Sequence, residues 1–146
     1  MKNKVLEAFD ELGFKLEIMD DWGYSFNYEG TNYLYVPNAE DDGFLSITIP
    51  GIYDIDENNS CIAHELMDKL NSTLKYVKSY KLGNSIWLFY ERELFGDEDL
   101  PAIISRMILH LEAALFFVRE TIASGNKENN TSEEETDSDN STETED

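Results

Sequence analysis

LKYVKSYKLGNSIWLFYER, residues Leu74 to Arg92, reads as two strands joined by a two-residue turn. Gly83-Asn84 is the turn, and a glycine at the first central position suits type II′, whose twist matches that of the flanking strands. In that register Leu82 faces Ser85, Tyr80 faces Trp87, Lys78 faces Phe89 and Tyr76 faces Glu91 on one side of the ribbon, while Val77, Ile86, Leu88 and Tyr90 occupy the other. Both sides are apolar, which predicts a central hairpin covered on each face.

Outward from this hairpin, the chain alternates helical and strand-like segments. Upstream, Val5, Leu6, Phe9 and Leu12 recur at helical spacing and Gly13 marks a stop. Strand-like runs follow at Phe14–Met19, Tyr24–Tyr28, Asn32–Val36 and Phe44–Ile49. They are broken at Asp20-Asp21 with Gly23, at Glu29-Gly30, across Pro37 to Gly43, and at Pro50-Gly51. A two-residue turn at Glu29-Gly30 puts Tyr24, Phe26, Tyr28, Tyr33 and Tyr35 on one face, either as core or as an exposed sticky surface. A second helix is expected from Ser60 to Asn71, after a capping cluster of Asp54, Asp56, Glu57, Asn58 and Asn59.

Downstream, Asp97, Glu98, Asp99 and Pro101 announce a third helix, from about Asp99 to Ala123. Its main stripe is Ile103, Ile104, Met107, Ile108, Leu111, Leu115, Val118 and Ile122. The opposite side carries Ala102, Leu109, Ala113 and Phe116, so both sides ask for cover. The expected architecture is α+β: an antiparallel sheet of five to six strands flanked by three helices, in the order α-β-β-β-α-β-β-α.

Of the 146 residues, the first 125 suit a single domain. From Asn126 to Asp146 there is no aliphatic or aromatic side chain, and a segment unable to bury apolar surface reads as a disordered acidic tail. The formal charge is −20, and the nine acids and one lysine of the tail leave −12 on the rest. Such a surface disfavours nucleic acid and anionic membranes as partners and favours basic ones, or serves solubility alone. One cysteine, Cys61, excludes an internal disulfide and fits a reducing compartment. Glu7, Asp10 and Glu11 interrupt any leader-like apolar run, and the charges between Leu100 and Ala123 argue against a bilayer span, so a cytoplasmic location is expected.

Catalytic and metal signatures are weak. Asp54-x-Asp56-x-Asn58 with Glu65 partly resembles a calcium loop, but Asn59 and Ile62 stand where glycine and an oxygen ligand belong, and capping explains the acids better. Cys61 with His64, and His110 in the third helix, lack zinc partners or a catalytic signature. The pairs Asp20-Asp21, Glu40-Asp41-Asp42 and Asp97-Glu98-Asp99 sit at turns or helix starts. No cofactor is called for, and an enzyme built on His64 or His110 is the less favoured reading.

With this order of elements, the chain resembles the YbjN-like sensory-transduction regulators of bacteria, whose domain is similar to the type III secretion chaperone fold. The resemblance rests on GFKLEIMDDWGYSFNYEGTNYLYV (Gly13–Val36), GFLSITIPGIYDI (Gly43–Ile55) and VKSYKLGNSIWLFYERELF (Val77–Phe95), followed by the long helix, and covers roughly residues 2 to 123. It implies a small, acidic, non-catalytic protein that forms a homodimer and holds an unidentified partner polypeptide. The candidate contact residues are Tyr76, Tyr80, Trp87 and Phe89 on the hairpin, and Leu109, Ala113 and Phe116 on the second side of the third helix. The rival is an acidic inhibitor or immunity-type protein that occupies a basic enzyme.

Overall fold

In the computed structural model, residues 1–38, 40 and 43–143 are described, with side chains described to Gly125. Asp41 and Asp42 of the expected acidic loop, and the tail's side chains, lie outside the described residues. Two units make up the chain, Met1–Leu115 and Phe116–Asp146. The elements are α1 (Lys2–Glu11), β1 (Glu17–Met19), β2 (Gly23–Tyr28), β3 (Thr31–Tyr35), β4 (Phe44–Asp54), α2 (Ser60–Thr73), β5 (Val77–Leu82), β6 (Ser85–Glu93) and α3 (Leu100–Glu143). All strand pairs are antiparallel, in one sheet of order β1-β2-β3-β4-β6-β5. The architecture is thus the expected α+β, with one more strand ahead of α2 than the expected order.

Both turn readings hold. Leu82 pairs with Ser85, Tyr80 with Trp87 and Lys78 with Phe89, and Gly83 takes φ +63° while Asn84 does not become positive, as type II′ requires. Tyr28 pairs with Thr31 around Glu29 (φ 48°) and Gly30 (φ 83°), the signature of type I′. Helix α1 stops as its sequence says: the Gly13 N–H donates to the Asp10 carbonyl and the Phe14 N–H to the Phe9 carbonyl, a Schellman pair.

Four expectations about individual strands need correction. The hairpin is not central, because β5 is the edge strand. Tyr76 does not face Glu91: the ladder begins at Val77, and a left-handed backbone at Tyr76 (φ 70°) breaks the alternation and turns its ring onto Tyr90. The run Phe14–Met19 shortens to Glu17–Met19, since Phe14 is drawn inward against Phe26 (ring centroids 5.0 Å apart). Pro50-Gly51 does not end its strand; β4 runs through it as an irregularity, with Ile49 opposite Leu88 and Tyr53 opposite Ile86.

Register assigns the faces. Tyr35 pairs with Ile47, Ile47 with Tyr90 and Tyr90 with Val77, so these side chains share one face, with Phe26 and Tyr33 beside them. All three helices touch that face. Phe9 of α1 meets Phe26 and Tyr35 at 5.0 and 5.5 Å, Asn71 of α2 binds Ser79, and His110 of α3 lies 6.0 Å from Tyr90. Phe9, Tyr33, Leu45, Ile47, Ile86, Leu88 and Leu111 are fully buried. The five aromatics of β2 and β3 are therefore core: Phe26, Tyr33 and Tyr35 are buried, Tyr24 and Tyr28 half-buried.

The expected acidic caps act differently at the two helices. Before α2, Asn59 makes no cap bond to the helix; its amide oxygen accepts from the Asp56 N–H (2.7 Å) and its amide nitrogen donates to the Asp54 carbonyl (2.8 Å), folding the preceding loop instead. At α3, Asp99 Oδ1 accepts from the Ala102 N–H at 3.4 Å, as an N-cap does. Glu98 accepts from the Phe95 and Gly96 N–H groups, and the Phe95 bond chiefly holds its carboxyl below the ordinary range.

Helix α3 continues beyond the expected stop near Ala123 to Glu143. Its stretch Leu100–Gly125 contains an 18-residue window with a mean hydropathy of 1.6 and is long and apolar enough, by length and composition, to cross a membrane. The charges in this region are spaced so that an 18-residue window holds no more than two. Charge alone therefore does not exclude a span. In this fold Ile104, Met107, Ile108, Leu111, Ala114 and Leu115 are buried.

Candidate functional site

The second face of the sheet carries Leu34, Phe44, Ser46, Thr48, Lys78, Tyr80, Leu82, Trp87, Phe89 and Glu91. Across it runs a line of rings. Trp22 lies 5.2 Å from Trp87, Trp87 lies 6.1 Å from Phe89, and Phe89 stacks on Tyr80 at 4.1 Å with the rings 3° from parallel. These side chains, with Phe44, border a groove of about 420 Å³. Phe89 is nearly covered by its neighbours, whereas Trp22 and Phe44 are each 44% exposed and Tyr80 is 39% exposed.

The floor and rim of the groove differ in polarity. Thr48, fully buried at the floor, donates its hydroxyl to the Leu88 carbonyl at 2.5 Å, so no polar group is left unsatisfied there. Glu91 lies at the rim and forms an ion pair with Lys78 at 3.3 Å, and the Lys78 ammonium stands 5.8 Å from the Tyr80 ring centre. Burial, and then the Glu91 charge, push the Tyr80 phenol above its ordinary pKa. Tyr80 thus remains a neutral ring and hydrogen-bond donor at physiological pH.

Trp22 reaches this face because the β1–β2 connection is tight. Its N–H donates to the Met19 carbonyl at 2.9 Å. The next residue, Gly23 (φ 107°), lies where a Cβ would come within 2.3 Å of the Tyr35 carbonyl oxygen, so only glycine lets the turn press against β3. The one local hint of this is a large ring inside an acidic turn, at Trp22 after Asp20-Asp21.

The edge of the sheet is less available than its face. On β5, the Ser79 N–H donates to Asn71 Oδ1 at 2.6 Å and the Ser79 carbonyl accepts from Asn71 Nδ2 at 3.0 Å. Helix α2 therefore occupies the backbone groups that a further strand would need. Tyr80, Trp87 and Phe89 are together on the open face as expected, while Tyr76 is on the helix side. Leu109 (53% exposed) and Ala113 lie uncovered on α3, and Phe116 (60% exposed) opens the second unit. Among the described residues no group of three or more His, Cys, Asp and Glu side chains is arranged to hold a metal ion. His64 is engaged with the Ser60 carbonyl of its own helix at 2.7 Å.

Comparison of the whole chain with solved structures identifies the crystal structure of YbjN, a candidate transcription regulator from E. coli, with a TM-score of 0.60 over 84% of this chain and 92% of that one. The fold is that of YbjN. Sequence identity over the YbjN match is 9%, so the likeness is one of backbone. No protein-family model and no curated protein matches the chain by sequence. The resemblance to YbjN drawn from the order of elements therefore holds at the level of the fold.

Proposed function

We propose that this chain is a non-catalytic protein-binding module, a dimeric chaperone-like or regulatory adaptor of the cytoplasm, which grips a partner polypeptide on the ring-lined face of its sheet. The observation that carries this reading is the groove itself: Trp22, Phe44, Tyr80 and Trp87 stand at the surface of a sheet whose other face alone is packed by helices. Rings fixed by their neighbours give large contact area for little loss of conformational freedom, which is why aromatic residues dominate binding hot spots. The status of YbjN as a candidate regulator is in keeping with such a role. The net charge of −20 favours a polypeptide partner with basic residues over nucleic acid or anionic lipid. Self-association would use the second side of α3, through Leu109, Ala113 and Phe116.

Capture experiments test the groove. Full-length bait and a Trp22→Ala/Trp87→Ala bait are compared, with both shown to be folded by circular dichroism. Proteins retained only by the unaltered bait are the expected result, and identical retention by both overturns the groove reading. Repeating the capture in high salt separates the adaptor from an acidic inhibitor of a basic enzyme, because steering by charge fades with screening and an apolar grip does not. Sedimentation of the full chain tests the dimer: Phe116→Glu should yield a folded monomer, and a monomeric unaltered chain removes self-association.

A further inference from the structure

Behind the sheet, on the helix side and away from the ring-lined groove, Tyr76, Tyr90, Arg92, Ile103, Arg106 and His110 enclose a second cavity of about 260 Å³. The chain has 31 acids and only 11 lysines and arginines. Nevertheless two guanidinium groups converge here, and among the described residues neither forms an ion pair with a carboxylate. The acid whose charge state feels Arg92 is Glu98, and its oxygens already accept from the Phe95 and Gly96 N–H groups. Arg92 donates its Nε–H to the Glu93 carbonyl at 3.1 Å, which orients the guanidinium plane and leaves the terminal nitrogens as donors.

The rings form the other wall. Tyr76 and Tyr90 lie 5.8 Å apart and 6° from parallel, and His110 closes on them at 5.0 and 6.0 Å. Tyr76 takes the left-handed backbone region, rare for a bulky residue, and the residue remains 66% exposed while its ring is aligned with Tyr90. A flat, exposed ring beside two guanidinium groups without a carboxylate ion-pair partner among the described residues offers stacking on one side and recognition of an oxyanion on the other. The volume lies just under the range of roughly 300–1,000 Å³ usual for drug-sized ligands, so it suits one ring and its acidic group.

We propose that this cavity is a binding site for a small aromatic oxyanion, in which Arg92 and Arg106 hold the phosphate or carboxylate and Tyr76 stacks on the ring. Calorimetric titration of the full chain with phenyl phosphate, benzoate and inorganic phosphate tests it. Saturable one-to-one binding is expected, and Arg92→Gln and Arg106→Gln should each weaken it about tenfold, the usual scale for a lost hydrogen bond between charged groups. Tyr76→Leu should weaken phenyl phosphate and leave inorganic phosphate unchanged, and Lys15→Gln should change neither. Tighter binding of phenyl phosphate than benzoate assigns the anion as phosphate, and the reverse assigns a carboxylate. Absence of saturable heat, or equal affinity after both arginine changes, overturns the proposal. Should a variant fail to fold, shift mapping by NMR on the unaltered chain decides: perturbation centred on Tyr76, Tyr90 and His110 supports the site, and perturbation elsewhere overturns it.

Discussion

The two faces of the sheet use the same residue types to opposite ends. On the helix side, the rings of Phe14, Phe26 and Tyr35 all lie within 6.1 Å of Phe9, which is wholly removed from water. On the open side, Trp22, Trp87, Phe89 and Tyr80 form a comparable line of rings with solvent on its outer surface. Ring contact alone therefore does not make a core; cover by a second layer does. Truncating a ring should then cost folding on one face and association on the other.

The largest expected effect is Phe9→Ala. It leaves a cavity among Phe14, Phe26 and Tyr35, and should destabilise the fold by about 3–5 kcal/mol, read as a shift in the urea midpoint with an unchanged slope. A loss no larger than that of an open-face ring would erase the distinction between the faces. Next comes Asn71→Ala, which leaves the Ser79 N–H and carbonyl of the β5 edge without their side-chain partner. A cost of about 1–3 kcal/mol is expected. Because the bared edge can then pair with other chains, aggregation in light scattering should rise as well.

Trp22→Ala on the open face should cost less, about 0.5–1.5 kcal/mol, the scale of one aromatic pair. Thermal unfolding measures it, and a drop as large as that for Phe9→Ala would mean that the open face is part of the core.

These residues also show how far the sequence reaches. Periodicity and turn chemistry are local, so the two hairpins, their registers and the helix starts could be read from Gly83-Asn84, Glu29-Gly30 and Asp99. What periodicity cannot say is which of two apolar faces receives the helices, because that depends on where α1 and α3 pack. Hence Tyr80, Trp87 and Phe89 were grouped correctly, yet cover was expected on both sides of their strands. Trp22 was missed since its partner is distant in sequence and it sits in a turn, and Arg92 and Arg106 because nothing local links a strand end to a helix. Tyr76 was misplaced for a different reason: strict alternation assumes extended backbone, and a single left-handed residue ahead of Val77 reverses the side.

The smallest effect concerns a contact on the covered side that opposes folding at neutral pH. Glu112 of α3 faces Glu29 of the β2–β3 turn, and the hydrogen bond that its protonated carboxyl can donate to Glu29 chiefly raises the Glu112 pKa, with burial and the Glu29 charge adding to it. A raised folded pKa contributes stability that is present below the ordinary carboxylate value and is lost as pH rises through the folded one. Glu98 has the opposite sign: its lowered pKa contributes above the ordinary value and is lost as pH falls. Glutamine at position 112 keeps a donor for Glu29 without the second charge. Glu112→Gln should therefore raise the unfolding temperature slightly at pH 7, with the gain shrinking toward pH 4, where the unaltered chain supplies the proton itself. A gain that is constant across this range would assign the effect to packing rather than to the shared proton.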